Sequence, residues 1–95
     1  MYDPRQIIIR PVVSEKSMDL MESENRYTFE VHKSATKPHI AAAVEEIFDV
    51  TVLNVNTMII KGKPRRVRYA KGLTRSWKKA IVTLAAGDKI ELFSS

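Results

Sequence analysis

The sequence contains no cysteine. Disulfide staples and thiolate metal sites are excluded, and the composition fits a reducing compartment. Glycine is scarce, and the three glycines never form a phosphate-cradling loop. There are two histidines, His32 and His39, with neither the H-x-x-x-H nor the acid–histidine spacing of a metal site. Ser14, Ser17 and Ser34 sit in no nucleophile motif. The adjacent Glu45 and Glu46 diverge around a helix and read as a solvated face. An enzyme, a metal and a cofactor are therefore not expected. No apolar run approaches the roughly 18 residues that a membrane span needs. The start, MYDPRQIIIR, has Asp3 and Pro4 where a signal peptide carries a basic and then an apolar stretch. The expectation is a soluble, unprocessed, intracellular chain that makes no direct membrane insertion and takes no small-molecule substrate.

The most local absence is that of acid. Residues 61–79, KGKPRRVRYAKGLTRSWKK, hold nine of the sixteen Lys and Arg residues and no Asp or Glu. The remaining chain carries seven basic residues against eleven acidic ones. The net charge of +5 thus conceals a mildly acidic body joined to a strongly basic segment. Ninety-five residues suffice for one domain with one modest core. The reading is a single domain over 1–95 with a basic extended arm over 61–79.

Periodicity gives the elements. Residues 7–9 read as a short strand, with Pro11 ending its pairing. Ser14 is a good N-cap for a short helix over 15–21, and Glu15 suits the positive end of its dipole. Residues 26–31 alternate, with Tyr27, Phe29 and Val31 on one face. Thr36 and Pro38 open a helix over 37–48 whose apolar stripe is Ile40, Ala43, Val44, Ile47 and Phe48. Residues 51–60 form a long strand with Leu53, Val55, Thr57 and Ile59 on one face. A strand over 79–84 follows, with Ala80, Val82 and Leu84 facing in. Ala86-Gly87-Asp88 turns the chain into a last short strand over 89–93. The fold class is α+β: a mainly antiparallel four-stranded sheet, helices packed on it, and the long basic arm between two strands.

The arm is far longer than an ordinary hairpin loop. Gly62, Pro64 and Gly72 should interrupt regular structure, although the ends can pair as a ribbon. Its few apolar residues cannot offset the entropy of ordering it alone. A polyanion can: each Lys or Arg that meets a phosphate releases counterions, and Arg grips phosphate with paired hydrogen bonds. The candidate RNA-binding residues are Lys61, Lys63, Arg65, Arg66, Arg68, Tyr69, Lys71, Arg75, Trp77, Lys78 and Lys79. Tyr69 and Trp77 are flat faces for unpaired bases, while Trp77 can instead pack at the base of the arm. A solvated charge run is the bland alternative. No basic helix suits a major groove, the central strands lack stacking aromatics, and glycine and proline exclude an amphipathic membrane helix. The arm suits irregular folded RNA.

The segments RPVVSEKS, RYTFEV, ATKPHIAAAVEEIFDVTVLNVNTMIIKGK and SWKKAIVTLAAGDKIELF, in that order, resemble the bacterial family of large-subunit ribosomal protein number twenty-three. The resemblance covers nearly the whole chain. It implies an antiparallel α+β fold and a cytoplasmic, ribosome-bound structural role. The arm would bind large-subunit ribosomal RNA near the polypeptide exit tunnel, beside neighbouring large-subunit ribosomal proteins. The acidic residue of the VSEK motif, here Glu15, would help to dock the chaperone trigger factor, and the same surface would serve targeting factors. Many relatives carry Glu where His39 stands, so the reciprocal bond of a capping box with Thr36 is not expected. The runner-up reading is a free RNA-binding module or RNA chaperone.

Overall fold

A computed structural model describes residues 3–62, 64–66, 71–73 and 76–91 of the protein, with 64–66 and 71–73 described as backbone. The chain opens with a single helical turn, α1 (Pro4–Ile7), capped by Asp3, whose carboxylate accepts from the Arg5 N–H at 3.0 Å. Strand β1 (Ile8–Pro11) starts one residue later than the expected strand. Pro11 does not end its pairing: it stands opposite Phe29, and the Val12 N–H donates to the Thr28 carbonyl at 2.9 Å. Strand β1 is an edge strand, where a residue without an N–H costs no ladder bond.

Helix α2 (Glu15–Glu24) begins at the expected cap, Ser14. Ser14 and Ser17 close a reciprocal box: each side-chain oxygen accepts from the other's backbone N–H, at 3.2 and 2.7 Å. The helix outlasts the expected 15–21. Ser23 returns its hydroxyl to the Asp19 carbonyl instead of breaking the turn. The stop is Asn25, in the left-handed region at φ 54°, with its amide anchored on the Ala85 carbonyl.

Strand β2 (Arg26–Val31) buries Tyr27, Phe29 and Val31, as the alternation requires. Helix α3 (Lys37–Phe48) matches its expected bounds, with Thr36 at the cap and Pro38 in the first turn. Its stripe holds for Ile40, Ala43 and Val44, which are buried, and for Phe48, which stacks on Phe29 with ring centroids 5.7 Å apart. Ile47 departs from it: 39% exposed, it sits at the edge of the stripe beside Pro4 and Arg5. His39 does engage the cap, its Nδ1 lying 2.9 Å from the Thr36 hydroxyl.

Strands β3 (Val52–Ile60) and β6 (Trp77–Leu84) complete a fully antiparallel sheet of order β1-β2-β6-β3. Ala80, Val82 and Leu84 of β6 are buried beside Val55 of β3 and the residues of α3. Two residues of β3 break the expected face. The register slips between Val52 and Asn54, which turns Leu53 outward to 65% exposure. Ile59 keeps the parity of Val55 but opposes Lys78, at the end of the sheet beyond the apolar cluster, and is 53% exposed.

After β6 the chain turns at Gly87, φ 92°. Residues 89–91 form no strand, contrary to the expected 89–93; Phe93 lies outside the described residues. The segment is held by side chains instead. Ile90 is buried, and the Asp88 carboxylate accepts from the Thr51 N–H at 2.7 Å.

One polar group sits at odds with this core. Thr28 is 2% exposed, and its hydroxyl has no hydrogen-bond partner among the described residues. It lies beside Val12, Met18 and Met21. An unpaired buried hydroxyl is destabilising, whereas an apolar group of the same shape is not. Thr28→Val is expected to leave stability in urea unchanged or raised. Phe29→Ala, which empties the centre of the core, should cost about 3 to 5 kcal/mol in the same measurement.

Candidate nucleic-acid interface

The ladder between β3 and β6 does not stop at the edge of the core. Its last rungs pair Ile59 with Lys78 and Ile60 with Trp77. The pairing brings β6 to Trp77, two residues before the expected start at 79. Beyond Lys61 and Gly62 the two halves of the connection meet again. Strand β4 (Pro64–Arg66) runs antiparallel to β5 (Lys71–Leu73), with rungs Pro64–Leu73, Arg65–Gly72 and Arg66–Lys71. The arm is therefore a two-stranded ribbon over its described length. Pro64 and Gly72, expected to interrupt regular structure, lie inside its ladder. Both strands of the ribbon are edges, which is where proline is tolerated.

This register gathers cations that sequence alone leaves strung along a line. Arg65, Arg66 and Lys71 occupy two consecutive rungs. Lys61 is exposed between β3 and the ribbon. Lys63, Arg68, Tyr69 and Arg75 lie outside the described residues. Trp77 begins β6 half-buried, with the Arg10 guanidinium 5.9 Å from its ring centroid. Lys79 stands between Glu30 of β2 and Met58 of β3. Lys78 has a different employment: its ammonium donates to the Ala35 carbonyl, just before α3. That bond ties the root of the ribbon to the helical layer. Glu15 is exposed in the first turn of α2, away from these cations in the chain.

Two arrangements were invisible in the sequence. Arg10 of β1 reaches both Glu30, with Nε 2.7 Å from its carboxylate, and the Trp77 ring. Only the strand order and register bring these residues together, and no local pattern encodes them. At the opposite end of the sheet, where Arg26 pairs with Thr83, an open groove of about 690 Å³ is lined by Glu22 and Glu24 of α2 and by Asp88 and Glu91, together with Lys89. Arg26 lies 3.6 Å from the Glu24 carboxylate, so acid outnumbers base there by four to two. The body is thus polarised, acidic at one end and continued by the cationic ribbon at the other. Among the described residues no group of three or more His, Asp or Glu side chains is placed to hold a metal ion. No helix among them is long and apolar enough to cross a membrane.

An antiparallel α+β domain that prolongs two of its strands into a basic ribbon is the class of protein this geometry defines. The family described as Ribosomal protein L23 matches residues 6–92, and the chain belongs to that family. Its relatives include proteins called large ribosomal subunit protein uL23. The one from Herpetosiphon aurantiacus is 59% identical over 92% of each chain, and that from Roseiflexus sp. is 55% identical over 96% of each. The Aquifex aeolicus protein is 54% identical, over 94% of this chain and 89% of its own.

The geometry separates Lys78 from the other cations. Lys78→Met should lower stability by about 1 kcal/mol through the lost bond to Ala35, while Lys61→Met, at an exposed position, should change it by less than about 0.5 kcal/mol. Denaturant titration of the two variants checks this.

Proposed function

We propose that this chain is a non-catalytic structural constituent of the large ribosomal subunit that binds large-subunit ribosomal RNA through its ribbon. The observation that carries the reading is the segregation of charge: nine cations without an acid in residues 61–79, three of them on the rungs of a ribbon prolonged from an otherwise acidic body, in a member of this family. Lys61, Lys63, Arg65, Arg66, Arg68, Lys71, Arg75 and Lys79 meet phosphates, Tyr69 and Trp77 meet bases, and Lys78 holds the root of the ribbon. The domain spans 1–95, and the ribbon segment, 61–79, is its RNA-contacting part. Its place is near the polypeptide exit tunnel, among neighbouring large-subunit proteins.

Polarity supports the orientation. With the ribbon in RNA, the carboxylates at the far end of the sheet are held away from the phosphates, which would repel them. The exposed Glu15 can then anchor a basic side chain of trigger factor or of targeting factors by a charge-assisted bond.

Three measurements test these assignments. With about six phosphate contacts, log affinity for large-subunit RNA should fall against log salt with a slope near −4 to −5; a slope near zero removes the electrostatic basis. The triple change of Arg65, Arg66 and Arg68 to Ala should weaken RNA binding and co-sedimentation with the large subunit while the thermal midpoint stays in place. Glu15→Ala should spare incorporation into the subunit and reduce chaperone docking, and undiminished docking rejects its role.

A further inference from the structure

At the root of the ribbon, on the body of the domain, lies an open groove of about 440 Å³ whose lining includes Ile9, Glu30, His32, Lys33, Trp77 and Lys78, the last committed to the Ala35 carbonyl. Its chemistry is mixed in a particular way. Ile9 is an exposed apolar side chain, 52% accessible, and Trp77 supplies an aromatic surface. Arg10 lies over the indole, 5.9 Å from the ring centroid, and does not itself line the groove. Lys33 is exposed and has no ion-pair partner among the described residues. His32 Nδ1 accepts from the Ser34 N–H at 3.1 Å, so the neutral ring carries its proton on Nε2, where it can donate. Glu30 is the one lining group that would repel an anion, and Arg10 neutralises it through the 2.7 Å contact to its carboxylate.

We propose that this groove receives one unstacked nucleotide of an RNA strand: its base on Trp77 and Ile9, its phosphate between Lys33 and His32. The inference rests on the RNA-binding reading of the ribbon and extends it to residues of the body that the basic segment does not contain. A strand that follows the ribbon cations to their root arrives at Ser76 and Trp77, which open onto the groove. Aromatic surface and phosphate-binding groups then stand side by side, as single-strand recognition requires. Arg10 acts here as a positioning residue: it holds the indole and cancels the Glu30 charge.

Trp77 is the single tryptophan of the sequence, so tryptophan emission reports on the one indole that lines this groove. Binding of a short single-stranded oligoadenylate is followed by anisotropy of a label on the RNA and, in parallel, by tryptophan emission. Quenching that tracks binding is expected, and an abasic oligonucleotide should bind without quenching. Trp77→Ala should weaken the oligoadenylate about tenfold, within the range of one base–aromatic stack. Lys33→Ala should reduce the salt slope by about 0.7, the loss of one single-strand phosphate contact. Arg10→Ala should weaken binding, and adding Glu30→Gln to it should restore much of the loss. Should Trp77→Ala prove unfolded, the emission of the unsubstituted protein and the Lys33 and Arg10 variants still decide. Binding without quenching, or quenching unaffected by removal of the bases, overturns the groove and the base contact of Trp77, and leaves the phosphate contacts of the ribbon intact. Free adenylate that quenches as effectively as the oligonucleotide overturns the assignment to a strand. Failure of every RNA to bind, by anisotropy, rejects the ribbon reading and the groove together.

Discussion

The constraint on which the molecule depends is the antiparallel pairing of β3 with β6, continuous in register from Asn54–Thr83 to Ile60–Trp77. Strand β6 is central, bonded to β2 on one side and to β3 on the other, and it contributes Ala80, Val82 and Leu84 to the core. The same pairing runs outward to Ile60 and Trp77 and sets the direction in which the basic connection leaves the domain. Burial at one end of the ladder therefore supplies the cohesion for a charged structure at the other. A ribbon with so few apolar residues of its own cannot be stabilised from within. It inherits its register from strands whose positions the core has already fixed.

Polarity follows from this geometry. The acidic groups at the far end come from α2 and from the segment after Gly87, two pieces of chain joined only by folding. Their placement gives the domain a direction. A polyanion is attracted at the ribbon and repelled at the opposite pole, so long-range electrostatics orients the body before any short-range contact forms. Lys78 marks the boundary, since its ammonium is committed to the Ala35 carbonyl and belongs to the fold.

Most of the core was legible because its signals are local. Tyr27, Phe29 and Val31 alternate at a two-residue period, and α3 announces itself through Thr36, Pro38 and a 3.6-residue stripe. The misreadings have non-local causes. Leu53 faces out because a slip in register after Val52 changes which side of the strand it occupies. Pro11 pairs because β1 has a free edge, which depends on strand order. The stop of α2 waits for Asn25, whose amide is secured by a carbonyl of a distant segment. As for the interface, the excess of cations was plain in the sequence, but the rungs that cluster them were not. The Arg10–Glu30–Trp77 grouping spans three strands and has no one-dimensional signature.

The two borders of the sheet are protected unequally. Strand β1 is short and carries Pro11, which blunts its ability to accept another strand. Strand β3 is nine residues long, forms the other border, and presents Leu53, Met58 and Ile59 to solvent. Such a border is a template for intermolecular strand addition. A chain with such a border is safest where a neighbouring surface covers β3 or where few copies are free to meet.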